Sequence, residues 1–248
     1  PWRGRVVSRP AYHHAMGETI QINFSRPIAL FPLANVVLLP HTLLPLRIFE
    51  PRYRQMLQKA LDSSGQIAMA NFADDAWRES YDGTPPLKPA VCVGQIVQHH
   101  KRSEEVHDVV LLGICRARIV EMHEPEGDRL YRQAMLRPLE LKDEEAALGG
   151  VRKRLQGLMD SAQVRRMQSV AKIRGLFDRE EVPTHALIEL LGSELLGDPL
   201  RKYHLLAEPD PKRRAKVIAS ELKALDRLIR AADHQQPDAK PPKGVHWN

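Results

Sequence analysis

The chain has 248 residues, 43% of them hydrophobic and 27% charged, an ordinary balance for a globular protein with a sizeable core in one large or two small domains. Thirty-seven Lys and Arg against 31 Asp and Glu give a net charge of +6, which permits contact with nucleic acid or acidic surfaces without requiring it. Cys92 and Cys115 are the only cysteines, with no C-x-x-C and no paired metal-ligand spacing, so a reducing compartment is the simpler reading and a disulfide between the two has no support in the sequence.

The first segment, PWRGRVVSRPAYHHA, is basic but lacks the apolar stretch and small-residue cleavage site of a secretory signal. Met16 would be a natural start, and residues 1–26 are expected to be an N-terminal extension, disordered in part. From Ile28 to Phe49 an apolar run is broken by Pro32, Pro40, Pro45 and Arg47, short of the roughly 20 residues of a membrane span. The expectation is a soluble, cytoplasmic protein without a membrane partner.

Leu44, Leu46 and Ile48 alternate with Pro45, Arg47 and Phe49, the two-residue period of a strand. At Glu50-Pro51 the period changes: proline suits a first helical turn, and Tyr53, Met56, Leu57, Ala60 and Leu61 recur at helical spacing. Asp62-Ser63-Ser64-Gly65 is a turn cluster, residues 66–72 read as a short strand, and residues 73–89 as a surface loop rich in Pro, Gly and Asp. Residues 90–100 and 108–122 form a predicted hairpin across the charged turn KRSEEVH, with Gly113 marking a bulge or bend, and residues 130–141 supply another strand.

The string FPLANVVLLPHTLLPLRIFEPRYRQML resembles the opening of the substrate-binding domain found at the N-terminus of Lon proteases, in stand-alone bacterial proteins and in cereblon. LPLRIFEPRYRQM is its most specific block, and AVCVGQIVQHH, HDVVLLGICRARIVEM and YRQAMLRPLEL are similar to the same family, so the resemblance spans residues 27–141. One departure is His41, where the family commonly has glycine after the proline. Because histidine adopts a positive φ less readily, the turn is expected to be built differently here.

Beyond residue 142 the pattern turns helical. Asp143 is a candidate cap before Glu144 and Glu145, with Leu148, Val151, Leu155, Leu158 and Met159 following at steps of three and four across a weakening Gly149-Gly150. Val164 to Ala171 suggests a second helix and Leu187 to Leu195 a third, opening near Pro183 and stopped by Gly197-Asp198-Pro199. In the last helix Asp210 caps, Pro211 takes the first turn, and Ile218, Leu222, Leu225 and Ile229 form an apolar stripe. The segment HQQPDAKPPKGVHWN is polar and Pro-rich, and residues 233–248 are expected to be a disordered tail.

No G-x-x-x-x-G-K-[ST] phosphate loop and no G-x-S-x-G elbow occurs, so the ATPase and protease chemistry of a whole Lon protein is not expected of these residues. His99 and His100 are strand neighbours facing opposite sides, and His123-Glu124 lacks the second histidine of H-E-x-x-H, so no metal ligands are assigned. The pairs Asp74-Asp75, Glu104-Glu105 and Glu180-Glu181 read as solvated charge, as do the basic clusters at 152–154, 165–166 and 212–216.

The fold class expected is α+β. The resemblance implies a twisted, partly closed antiparallel β-barrel of PUA-like, Lon N-domain type over residues 27–141, and a C-terminal helical bundle follows over 142–232. The function expected is a non-enzymatic polypeptide-binding or adaptor module that recognises exposed apolar segments of clients or serves a protease partner, with no catalytic residue and no cofactor. Candidate binding residues are Phe31, Pro32, Leu33, Phe49 and Tyr53. The alternative is an RNA-binding protein, since Lon-type domains resemble RNA-recognition barrels and the chain is basic. Its low aromatic content, 5%, leaves few rings for stacking bases. A hydrolase is a third reading, to be recognised by a cleft holding a perturbed carboxylate beside a histidine.

Overall fold

The computed structural model describes residues 6–8, 20–78, 83–139 and 144–235. The expected boundary between 141 and 142, the Asp143 cap, Met16 and most of the C-terminal tail fall outside the described residues. The elements are β1 (Val6–Ser8), β2 (Gln21–Asn23), β3 (Ile28–Leu33), β4 (Leu43–Ile48), α1 (Pro51–Leu61), β5 (Gln66–Asn71), β6 (Ala90–Lys101), β7 (His107–His123) and β8 (Gln133–Pro138). The helices α2 (Val151–Met159), α3 (Gln168–Arg174), α4 (Thr184–Leu195), α5 (Pro199–Ala207) and α6 (Pro211–Gln235) follow.

β1 and β2 pair antiparallel, with Val7 opposite Ile22. The other strands form one sheet in the order β4-β7-β6-β5-β3-β8, and β8 also pairs with β7, so the pairings from β7 through β6, β5, β3 and β8 return to β7. The sheet is mixed, which corrects the antiparallel expectation: β3 runs parallel to β5, with Phe31 opposite Met69. Parallel neighbours need a long crossover, and the connection holding β4 and α1 supplies it. The β6–β7 hairpin shifts register between Val93 and Gly94 and again between Ile96 and Gln98. Such bulges bend and twist a strand pair, which lets two long strands wrap.

Gly113 sits at the first of these shifts for a steric reason. A Cβ there would lie 2.1 Å from the Leu39 carbonyl oxygen, because the segment before β4 crosses directly over β7. His41 N–H donates to Gly113 O at 2.7 Å and Gly113 N–H to Thr42 O at 2.9 Å. His41 itself adopts φ 65°, so the left-handed turn is kept with histidine in it. The expectation of a differently built turn is overturned: two backbone bonds to Gly113 and the Thr42 hydroxyl on Leu39 O at 2.8 Å hold a conformation that costs a non-glycine residue about 1–2 kcal/mol.

Both faces of the central strands are buried. Ile67, Met69 and Cys92 face one core, which also takes Met56 and Leu57 of α1 and Leu155, Leu187, Leu191, Ile218 and Leu222 of the helices. Ala68, Ala70, Val91 and Val93 face a second, with Ile22, Leu30 and Leu136. The first core therefore belongs to sheet and helices together. Within α1, Tyr53, Met56, Leu57 and Ala60 are buried as their spacing predicts, whereas Leu61 reaches the surface at 36% exposure.

The helical part differs from expectation in detail. Residues 146–148 are a 3-10 turn, and Gly150 at φ 75° separates them from α2. The Asp198-Pro199 stop also starts α5, where the Asp198 side chain accepts from Leu200 N and Arg201 N. Arg214 corrects the solvated reading of its cluster. It is fully buried, with Nε 2.9 Å from Glu189 Oε1 and Nη2 3.0 Å from Glu144 Oε1. Arg116 of β7 meets the same Glu189 oxygen at 2.7 Å and donates to Leu206 O at 3.1 Å. Four charges thus alternate in sign between β7, the segment before α2, α4 and α6, all at 4% exposure or less. Arg152, also read as solvated, is half-buried and donates to the carbonyls of Phe177, Val182 and Arg179 beyond α3.

Candidate functional site

Among the described residues, two concavities lie on the sheet. The one at the β4–α1 switch is a groove of about 450 Å³, with Pro32, Tyr53, Phe72, Leu130 and Tyr131 on its apolar side and Glu50, Arg52 and Arg132 on its polar side. The sequence builds it locally. Pro51 opens α1 behind Glu50, whose extended φ of −67° and ψ of 136° end the strand and turn the chain. Arg52, in the first turn, folds back to donate to Glu50 Oε2 at 2.9 Å and lies over the Tyr53 ring at 4.8 Å.

The opposite wall is the β7–β8 connection, laced by its own arginines. Arg129 donates to Tyr131 O at 2.5 Å and Glu124 O at 2.6 Å, and Arg132 to Glu124 Oε2 at 2.8 Å and Pro85 O at 2.6 Å. Gln55 of α1 clasps this wall through Asp128 O at 2.6 Å and Leu130 N at 2.8 Å. Leu130 is left half-exposed on a braced loop, and burial raises the Tyr131 hydroxyl pKa against the lowering effect of Arg129.

Of the five sequence candidates, Pro32 and Tyr53 line this groove. Phe31 is 3% exposed and lies behind it, its ring 4.5 Å from that of Tyr53, so it supports the wall without presenting itself. Leu33 is half-buried against the shared core, and Phe49, at 60% exposure, stands at the surface outside the lining. Sequence reasoning missed Phe72, Leu130, Tyr131 and Arg132. They fall at the ends of stretches expected to be strands, residues 66–72 and 130–141, where alternation alone does not mark a binding residue, and the available signal was the scarcity of rings, 5% of the chain.

The second concavity, about 740 Å³ and shallow, lies over β4, β6 and β7 and is lined by Pro45, Arg47, His99, His100 and Asp108 among others. Here a perturbed carboxylate does stand near histidines. Hydrogen bonds from Arg47 and then Arg102 hold the Asp108 carboxyl down to about 2. A carboxyl held so low is a poor proton acceptor near neutrality, so Asp108 itself does not fit the role of a general base. His99 Nε2 and His107 Nδ1 are 2.9 Å apart, and burial, followed by His99, lowers the His107 pKa. The acidic pairs read as solvated are exposed. No helix among the described residues is long and apolar enough to cross a membrane.

The fold is shared with Lon N-terminal domains. The N-terminal domain of the Lon protease of Mycobacterium avium complex superposes with a TM-score of 0.58 at 18% identity, over 80% of this chain and 98% of that one. A Lon N-terminal domain protein from Xanthomonas campestris gives 0.54 at 21% identity, over 79% and 98%. Residues 27–224 match the family of the ATP-dependent protease La (LON) substrate-binding domain, and the chain belongs to that family. No curated protein matches it by sequence. The match runs through α2 to α5 and into α6, beyond the residues 27–141 over which the resemblance was read.

Proposed function

We propose that this chain is a non-catalytic, cytoplasmic module that binds polypeptide, with the groove at the β4–α1 switch receiving exposed apolar segments of client proteins for a protease partner. Its sheet, whose pairings return on themselves, is read as a small PUA-like barrel that carries the groove on its rim. The groove is the observation that carries this reading: a concave surface of two tyrosines, a phenylalanine, a leucine and four prolines, with charged groups among them, binds through shape and desolvation. Membership of the substrate-binding family supports the kind of ligand. The absence of a phosphate loop and of a nucleophile elbow from the sequence supports a binding role.

The test is binding of fluorescein-labelled casein, followed by anisotropy. Leu130→Glu, at a half-exposed position in the groove, is expected to weaken binding about tenfold or more, since it charges an apolar contact worth at least ~1.4 kcal/mol. Val120→Glu, at 63% exposure and outside the lining, is expected to bind as the parent does. Equal affinity for parent and Leu130→Glu would remove the groove from the site. A parallel assay is expected to show neither ATP hydrolysis nor casein cleavage by the purified protein.

A further inference from the structure

The outer surface of α6 carries a second pattern that the groove does not use. Val217, Glu221, Ala224, Leu228 and Ala231 follow one another at steps of four and three, the spacing of a seam that packs against another helix. Val217 is 40% exposed and Leu228 67%, and Ala224 and Ala231 are exposed between and beyond them. The polar member, Glu221, is drawn aside by the Arg201 guanidinium of α5. One residue before each seam position stand Lys216, Ser220, Lys223, Arg227 and Arg230, so a row of cations runs along the seam on the side away from the core. Arg230 pairs with Asp226 at 2.8 Å. Lys216, Lys223 and Arg227 make no ion pair with a described residue, and the exposed Asp233 is bridged to Arg166 at 3.4 Å.

From this face we infer a docking site for an amphipathic helix of a partner protein, one whose apolar edge covers Val217, Ala224 and Leu228 and whose flank carries glutamates or aspartates opposite Lys216, Lys223 and Arg227. Charge decides the occupant. A second copy of this chain would bring its own cation row against this one, and like charges at flanking positions oppose pairing. A nucleic-acid duplex would satisfy the cations and leave Val217 and Leu228 without a partner, and the exposed face holds no Phe, Tyr or Trp on which unpaired bases could stack. An acidic amphipathic helix satisfies seam and row together, the helix-in-groove mode of peptide recognition. The inference shares no residue with the groove, so each stands or falls without the other.

The test uses the full chain and a fluorescein-labelled synthetic 21-residue peptide with Leu at heptad positions a and d and Glu at the flanking positions, with a peptide carrying Lys at those positions as control. The acidic peptide is expected to bind at least tenfold more tightly than the basic one, and more weakly as salt is raised from 50 to 500 mM. Lys223→Glu with Arg227→Glu, and separately Leu228→Glu, are each expected to lower affinity tenfold or more with the circular dichroism spectrum unchanged, whereas Arg165→Glu leaves it within twofold. Equal binding of the two peptides, no effect of Leu228→Glu, or displacement of the peptide by a 20-base-pair duplex at lower concentration than by unlabelled peptide would overturn the inference. So would sedimentation as a dimer that Leu228→Glu dissociates.

Discussion

Arginine–carboxylate pairs occur both at the seam between sheet and helices and at the rim of the groove, and the two settings put the same chemistry to different uses. At the seam, Arg116, Glu189, Arg214 and Glu144 are out of reach of water, and each charge is answered by the next along the chain of contacts. Burial of this kind adds little net stability over a well-packed apolar core, but it makes the loss of any one member severe. It ties β7 to α4, to α6 and to the segment before α2. At the rim, Arg52 with Glu50 and Arg132 with Glu124 keep one partner in contact with solvent, so the pairs position walls and remain available to a ligand. Buried charge links the sheet to the helices, and partly exposed charge shapes a surface.

The largest effect is expected of Glu189→Ala. It leaves Arg116 and Arg214 buried against each other without their shared carboxylate, and a loss of about 3–5 kcal/mol is expected in urea denaturation. A loss below about 1 kcal/mol would show that the seam tolerates bare charge and does not specify the packing. Next comes the apolar comparison within α1. Leu57, with no exposed surface, is expected to lose about 2–5 kcal/mol on replacement by Ala, whereas Pro51→Gly loses about 1–2 kcal/mol through the entropy of the unfolded chain. If the order were reversed, the strand-to-helix turn rather than the helix face would be the dominant local constraint.

At the rim, Arg52→Ala is expected to lose no more than about 1 kcal/mol, because its pair with Glu50 is partly solvated, although the contact over Tyr53 goes with it. A loss as large as that of Glu189→Ala would erase the distinction between the two settings. The smallest effect belongs to Asp108, on the open surface of the sheet. Its pKa is lowered in the folded chain from 3.8 to about 2, so whatever it contributes is fully present above about pH 4 and is lost as pH falls towards 2. Carboxyl titration by NMR is expected to find its midpoint well below those of solvated aspartates, and Arg47→Ala is expected to raise it.

The strand-to-helix switch was legible because both its signals are local: the alternation from Leu44 to Ile48, and a proline where a helix can begin. The hairpin of β6 and β7 was legible for the same reason. The parallel pairing of β3 with β5 was not, because periodicity reports which face a residue takes and says nothing of the direction of its neighbour. Asp198-Pro199 was read as the end of one helix when it also begins the next, although Asp210-Pro211 carries the same two residues and was read as a start. Arg214 gives no local sign of its burial, since its partners, Glu189 and Glu144, are distant in sequence and nothing in the local pattern of α6 distinguishes it from Arg213. In the groove, Pro32 and Tyr53 came from the motif that bends the chain, while Leu130, Tyr131 and Arg132 are brought there by the β7–β8 connection and by Gln55.

Polypeptide is the proposed ligand of the groove at the β4–α1 switch. The most direct measurement is amide hydrogen exchange of the full chain with and without saturating casein, read peptide by peptide. The expected result is added protection in residues 50–55 and 124–132, the first turns of α1 and the wall facing them, with the exposed strand end around Val120 unchanged. Protection confined to other surfaces, with those two segments exchanging as in the free protein, would contradict it.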